Sequence, residues 1–274
     1  MTIFWINGQP AGDIPANDRG LAYGDGVFET IKVVSGKLTL PVLHWQRLCA
    51  GTGRLRISLD SGLLQRECAD FLRDNGFTEG ILKIIVTRGS GGRGYNPFGC
   101  DQTRRILSFH PLPSYPSSLS VQGTAIRLCQ HRSGHSLLAG IKHLNRLDQV
   151  LARAEWHDTE CYEGLMMDLD DRIIEGTMTN VFLVMDDGML VTPALNHTGV
   201  AGVARAYILQ EAVRWGVSVV EKPVMINTLE KACEVFLVNS VNGVWPVIAC
   251  GHLRWEVGTV TRMVRDKIAG VLNA

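Results

Sequence analysis

Apolar positions along the first third of the chain switch between the strand and the helix period. Residues 3–7 (IFWIN) read as a short strand, and Asn7-Gly8 is a hairpin-turn signal. Residues 27–34 are rich in β-branched and apolar side chains and read as a strand closed by Ser35-Gly36. Beyond Pro41, the residues Val42, Trp45, Cys49 and Thr52 recur at helical spacing, with Leu48 and Leu55 in support. Gly51 and Gly53 weaken that helix by about 1 kcal/mol each. A second helix is predicted over 63–75, stopped by Gly76. Residues 81–87 (ILKIIVT) are a buried-type strand, 88–94 a glycine-rich loop and 106–109 another strand. The run PLPSYPSSLS, residues 111–120, is the best linker in the chain. Further strands are predicted at 124–128, 164–168, 181–185, 217–221 and 235–238, with helical patterns over 145–159, 203–215 and 228–233. No internal repeat is found. The order predicts an α/β (α+β) chain in two parts with mixed sheets: a domain over 1–113, a linker at 114–119 and a domain over 120–274. They are expected to meet at a cleft of the kind that holds ligands.

Bulk properties narrow the class. The 274 residues are 46% hydrophobic and 20% charged, an ordinary globular mixture. Lys+Arg and Asp+Glu both total 27, so no basic excess points to nucleic acid or an anionic membrane surface. No apolar run approaches the roughly 20 residues of a membrane helix. The first residues, MTIFWINGQPAGD, lack the basic start and long apolar core of a signal peptide. The seven cysteines include no Cys-x-x-Cys pair, so no disulfide framework or zinc site is predicted, and a reducing cytoplasm fits.

Four stretches carry candidate chemistry. Gly89-Ser90-Gly91-Gly92-Arg93-Gly94 satisfies G-x-G-x-x-G after a strand, but Tyr95-Asn96-Pro97-Phe98-Gly99 cannot begin the helix a dinucleotide site needs. A substrate-facing loop with Arg93 as an anion ligand is the better reading; a solvated loop arginine meets the same pattern. Lys142 stands in apolar company in Leu138-Ala139-Gly140-Ile141-Lys142-His143-Leu144. Desolvation frees an amine for covalent work, although a snorkelling surface lysine is the commoner use of such a position. Glu175, in Ile173-Ile174-Glu175-Gly176-Thr177, is either an acid for a ring nitrogen or a turn glutamate. Gly199-Val200-Ala201-Gly202-Val203-Ala204 opens a helix with small residues, which suits a phosphate at the free amides or plain helix–sheet packing. Asn239-Ser240 at a strand end adds donors or simply a turn. His131 and His135 lack the Glu of a metalloprotease helix, so no metal is predicted there.

Taken in order, these features resemble the fold-type IV pyridoxal-phosphate enzymes. The likeness begins at Asp18-Arg19-Gly20 with Gly24-Asp25-Gly26-Val27-Phe28-Glu29 and ends near residues 239–247. Within that group, Arg88-Gly89-Ser90-Gly91-Gly92-Arg93-Gly94-Tyr95 and residues 138–150 are most similar to the aminodeoxychorismate lyases. D-amino-acid and branched-chain aminotransferases are the alternative. The resemblance implies pyridoxal 5'-phosphate at the domain junction, covalently held by Lys142, with Glu175 at its pyridine nitrogen. Arg47, in His44-x-x-Arg47-Leu48, would bind the phosphate, with the amides of Val203 and Ala204, the Ser240 hydroxyl and neighbouring Val241. Arg93 and Tyr95 would take the substrate. The implied reaction splits 4-amino-4-deoxychorismate into 4-aminobenzoate and pyruvate, with Lys142 as the catalytic base, and the implied assembly is a homodimer. Two departures count against an aminotransferase: Ala204 stands where those enzymes often have Thr, and Asn239-Ser240-Val241 replaces their second phosphate loop.

Overall fold

A computed structural model describes residues 3–157 and 161–274. Its contacts divide the chain into two units. The first comprises Met1–Pro113 and Ile141–Asn145, with Ala274; the second comprises Ser114–Gly140 and Arg146–Asn273. The division is not a single cut: the five residues around Lys142 group with the first unit, whereas the linear reading assigns them to the second.

In the first unit, β1 (Phe4–Ile6) and β2 (Gln9–Pro10) form the hairpin signalled by Asn7-Gly8, both residues having positive φ as that two-residue turn requires. A one-turn helix, α1 (Arg19–Tyr23), follows. Asp18 caps it by accepting from the amides of Gly20 and Leu21, and Gly24 ends it in the left-handed region. Then come β3 (Gly26–Val34), β4 (Lys37–Leu38), α2 (Pro41–Leu55), α3 (Ser61–Asp74), β5 (Gly80–Thr87) and β6 (Arg104–His110). The six strands make one sheet in the order β2-β1-β6-β5-β3-β4. All its pairings are antiparallel, so this sheet is not mixed as expected. Strand β3 buries alternate residues Val27, Ile31 and Val33, the period of a sheet with one covered face.

The buried stripe of α2 differs from the predicted one. Val42 and Cys49 are exposed, and the helix instead buries His44, Leu48, Gly51 and Thr52. Gly51 is the reason. A Cβ there would lie 3.1 Å from a Val27 methyl and 3.3 Å from one of Ile141, so the bare backbone is what lets the helix settle on β3.

The second unit adds α4 (Leu119–Gln122), β7 (Thr124–Ser133), α5 (Leu147–Arg153), β8 (Glu163–Asp168), β9 (Ile173–Gly176), β10 (Asn180–Val184), β11 (Leu190–Pro193), α6 (Val203–Glu211), β12 (Val219–Lys222), α7 (Ile226–Glu230), β13 (Glu234–Asn239), β14 (Gly243–Cys250), β15 (Leu253–Arg254) and α8 (Thr259–Leu272). Its sheet runs β12-β11-β10-β13-β14-β7-β8-β9, with β15 paired to β14. It is mixed: β11–β12, β14–β7 and β7–β8 are parallel and the rest antiparallel. Strands β8, β10 and β13 are buried nearly throughout, around a core that includes Leu165, Val181, Leu183, Leu237 and Val247.

The helix predicted over 145–159 shortens to α5, and its expected end at Thr159 lies outside the described residues. Residues 212–215 continue α6 as a 3-10 turn. Among the described residues no helix is long and apolar enough to cross a membrane.

Candidate active site

Lys142 belongs to a short extended stretch laid along β3. The Phe28 amide donates to the Lys142 carbonyl at 3.0 Å, Val27 bridges His143, and the Leu144 amide donates to the Gly26 carbonyl at 3.0 Å. The backbone is therefore fixed on both sides of the lysine. Its Nζ lies 4.3 Å from the centre of the Phe28 ring, and the residue is half-buried.

The strand residue after Phe28 is Glu29, which is fully buried and points the same way as Val27 and Ile31. Its carboxylate is held from α2. Arg47 donates from Nε to Oε1 at 2.7 Å and from a terminal nitrogen to Oε2 at 2.5 Å, and His44 Nδ1 lies 2.6 Å from Oε2. His44 and Arg47 are one helical turn apart, so both reach one acceptor. Burial raises the Glu29 pKa, but the charge and hydrogen bonds of Arg47, with the hydrogen bond from His44, outweigh it and hold it at about 2. Burial lowers the His44 pKa against the pull of Glu29, with Arg47 and Lys142 adding to the depression. A neutral imidazole donating from Nδ1 satisfies this arrangement. The other ring nitrogen, Nε2, is buried without a hydrogen-bond partner.

The glycine-rich loop after β5 is not the start of a helix. It is gripped from beneath by Arg19, only 4% exposed. The Arg19 guanidinium donates to Asp25 at 2.8 Å and to the carbonyls of Gly94 (2.9 Å), Tyr95 (3.1 Å) and Asn96 (3.5 Å). The Tyr23 hydroxyl accepts from the Gly94 amide at 3.1 Å, and its ring lies 5.4 Å from that of Tyr95. Asp25 also pairs with Arg88, whose guanidinium reaches the carbonyls of Leu55 and Arg56. Arg93 and Tyr95 stand exposed on this braced loop.

In the second unit, Glu175 on β9 is 4% exposed. Its Oε2 accepts from the Val200 amide at 2.9 Å and from Asn180 Nδ2 at 3.4 Å, while Gln149 Nε2 donates to Oε1 at 3.3 Å. Arg146 is close enough for its charge to be felt. Helix α6 starts at Gly202 with no side chain capping its first amides. A Cβ on Gly202 would strike Asn180 Oδ1. Val203 and Ala204 form the first turn, both buried. Uncapped amides at a helix start are an anion-binding arrangement. Ser240 and Val241 follow β13, but the Val241 amide is already donated to Asn239 Oδ1 at 2.9 Å, as is that of Asn242 at 2.7 Å. This is an Asx turn, so the Val241 N–H is committed.

Sequence reading left out Glu29, His44, Asn180 and Gln149. The first had a signal: a carboxylate at an inward position of a period-2 strand must have a cation within reach. The others depend on contacts between elements and had none. His131 pairs with Asp148, and His135, Asp168 and Asp170 bring ligand atoms within 4.8 Å of one another. Arg172 already supplies the cation there, 2.8 Å from Asp170.

The family profile described as Amino-transferase class IV matches residues 26–250. The aminodeoxychorismate lyase of Vibrio harveyi is 35% identical over 97% of this chain and 99% of its own. The branched-chain-amino-acid aminotransferase of Escherichia coli K12 is 26% identical over 98% of this chain and 92% of its own. The crystal structure of 4-amino-4-deoxychorismate lyase from Pseudomonas aeruginosa has a TM-score of 0.95 and 46% identity, covering 99% of this chain and 100% of that one. The two-sheet α+β architecture is the fold-type IV architecture that the resemblance implied. The chain belongs to the class IV aminotransferase family.

Proposed function

We propose that the chain is a pyridoxal-phosphate-dependent lyase that converts 4-amino-4-deoxychorismate to 4-aminobenzoate and pyruvate, a supply step for folate. The observation that carries this reading is end-to-end similarity at 46% and 35% identity to two such lyases, against 26% to the branched-chain aminotransferase of Escherichia coli.

The residues present fit pyridoxal 5'-phosphate: a half-buried amine on a fixed backbone, a buried carboxylate, and a helix start that no side chain caps. Lys142 holds the cofactor covalently. Glu175 keeps the pyridine nitrogen protonated, with Asn180 and the Val200 amide orienting the carboxylate. The first amides of α6, at Val203 and Ala204, take phosphate oxygens with the Ser240 hydroxyl, while Val241, its N–H committed to Asn239, only adjoins that group. Arg47 adds positive charge for the phosphate from a guanidinium that Glu29 orients. When bound, the cofactor supplies an electron-withdrawing ring that stabilises negative charge on the substrate carbon bearing the amine. The Lys142 amine, freed when the substrate amine takes its place on the cofactor, would take the proton from that carbon as general base. The C–O bond on the adjacent carbon breaks, enolpyruvate leaves, and the six-membered ring becomes aromatic. Arg93 takes a substrate carboxylate, with Tyr95 beside it.

A homodimer in the cytoplasm completes the reading. Seven free thiols support a reducing compartment. Leu147, Val150 and Leu151, exposed on α5 at positions i, i+3 and i+4, support self-association.

Purified protein with aminodeoxychorismate and no added amino or keto acid should release 4-aminobenzoate and pyruvate in equal amounts. Absence of both products, together with amino transfer from D-alanine or leucine to 2-oxoglutarate, would assign the chain to the aminotransferases instead.

A further inference from the structure

Directly beneath the turn that follows Glu175 lies a second carboxylate, Glu163 at the start of β8, fully buried at 0% exposure. It touches none of the groups assigned above. Its Oε1 accepts from the Thr177 amide (3.0 Å), the Thr177 hydroxyl (2.5 Å) and its neighbour's amide at Gly164 (3.0 Å). Its Oε2 accepts from the Met178 amide (3.1 Å) and the Thr179 hydroxyl (3.0 Å). Four of the five donors belong to residues 177–179, which connect β9 to β10. The chain enters that turn from Glu175 and leaves it at Asn180, and these two side chains are hydrogen-bonded to each other. The packing is tight enough to dictate a residue type. A Cβ on Gly176 would lie 2.8 Å from Glu163 Oε2 and would also collide with the Thr179 hydroxyl, so only glycine fits next to Glu175.

We propose that Glu163 is the positioning residue of the Glu175 acid: its carboxylate gathers the donors of residues 177–179 and so fixes where β9 presents Glu175 to the ring nitrogen. The proposal rests on the assignment of Glu175 made above. Its chemistry is specific to a carboxylate. Each oxygen receives a backbone amide from the turn, and an amide N–H cannot turn into an acceptor. A glutamine at 163 therefore faces its own NH2 toward a turn N–H whichever way its amide is flipped. That leaves a buried donor unmatched and pushes the turn away.

The test uses the holoenzyme and two readouts: kcat, and the pH titration of the bound cofactor's visible band, which follows protonation of the nitrogen joining Lys142 to the cofactor and whose midpoint moves with the charge held at the ring nitrogen. Glu163→Gln is expected to lower kcat by about ten- to a hundred-fold, the scale of a misplaced catalytic group, with KM nearly unchanged and the titration midpoint displaced. Glu234→Gln is the comparison for lost stability alone. Glu234 is a buried carboxylate of the same unit that accepts from the Val260 and Thr261 amides, remote in role from Glu175. It should lower the melting temperature without moving the midpoint. If Glu163→Gln does not fold, Thr179→Val removes one donor from Glu163 and should move both readouts the same way to a smaller extent. A wild-type midpoint and kcat in Glu163→Gln, or in Thr179→Val where that variant decides, overturns the proposal. So does an equal displacement in Glu234→Gln. Glu175→Gln separates the two levels. If it leaves the titration as in the wild type, the ring-nitrogen assignment itself fails and the role of Glu163 falls with it. If Glu175→Gln displaces the titration and Glu163→Gln does not, only the positioning role is lost.

Discussion

Glu29 and Arg47 meet through both oxygens of one carboxylate and two nitrogens of one guanidinium, at 2.7 and 2.5 Å, with the carboxylate fully buried. Removing one partner of such a pair strands the other charge, which costs about 3–5 kcal/mol, more than the pair contributes relative to an apolar replacement.

The pair sets an acid limb for stability. The folded Glu29 pKa of about 2 lies below the ordinary 4.5. Between these values the unfolded chain binds a proton that the folded chain refuses. Stability from Glu29 is thus complete above pH 4.5 and is lost as pH falls toward 2, a total on the order of 3 kcal/mol. His44, held below its ordinary 6.5 mainly by burial, adds a decline that begins as pH drops through 6.5. Urea unfolding of wild type from pH 7 to 3 should show both losses. Glu29→Gln should be less stable at pH 7 and flatter below 4.5; an unchanged slope would remove Glu29 as the cause.

Lys142→Ala should abolish lyase turnover and the visible band of the bound cofactor while leaving the fold intact, because the stretch is held by backbone bonds to β3. Borohydride reduction of the wild type should leave the cofactor mass on the peptide containing residue 142. Arg47→Ala should weaken cofactor retention, by about 1.5–3 kcal/mol for a charge-assisted contact, and separately lower the stability of the fold, because it leaves the buried Glu29 carboxylate without its guanidinium. Equilibrium dialysis measures the retention, and unchanged affinity would take Arg47 out of the phosphate site.

Arg19→Lys should loosen the loop that carries Arg93 and Tyr95, since one ammonium cannot hold Asp25 and three carbonyls arranged for a planar fork. The expected result is KM raised by about ten-fold, one lost interaction of roughly 1.4 kcal/mol, with kcat much less affected. Steady-state kinetics decides; a change in kcat alone would point elsewhere.

Gly51 and Gly53 lie two residues apart on α2 and should respond oppositely. Gly53→Ala meets open space and gains helix propensity, up to about 1 kcal/mol. Gly51→Val forces methyl groups against Val27 and Ile141 and should lose about 1–3 kcal/mol. Thermal melts of the two variants provide the comparison.

The contrast between those glycines also shows where local pattern stops being informative. Strands β3 and β5 were legible because their apolar runs are long, and the middle of β6 because Ile106, Leu107 and Phe109 stand directly before the proline-rich run. The buried face of α2 was not, because a glycine and a histidine, neither of which scores as apolar, occupy its core positions. Strands β9 and β11 have four residues each, one including Glu175 and the other Pro193, too short and too mixed for a period. The motif residues Lys142 and Glu175 could be picked out by type and spacing. The partners of Glu29 and Glu175 could not, because sheet pairing and helix docking bring them from elsewhere in the chain.

Helix α8 shows the same dependence at its first turn. No residue next to it caps it; Glu234, 26 positions before Val260, accepts from the amides of Val260 and Thr261, and Gly258 leaves room for that carboxylate. A peptide of Thr259–Leu272 cut free of the protein therefore lacks its own starting signal, and its β-branched residues disfavour spontaneous coiling in water. The helix depends on an already placed β13 to supply the acceptor that starts it, which ties its docking to the pairing of the sheet in this unit.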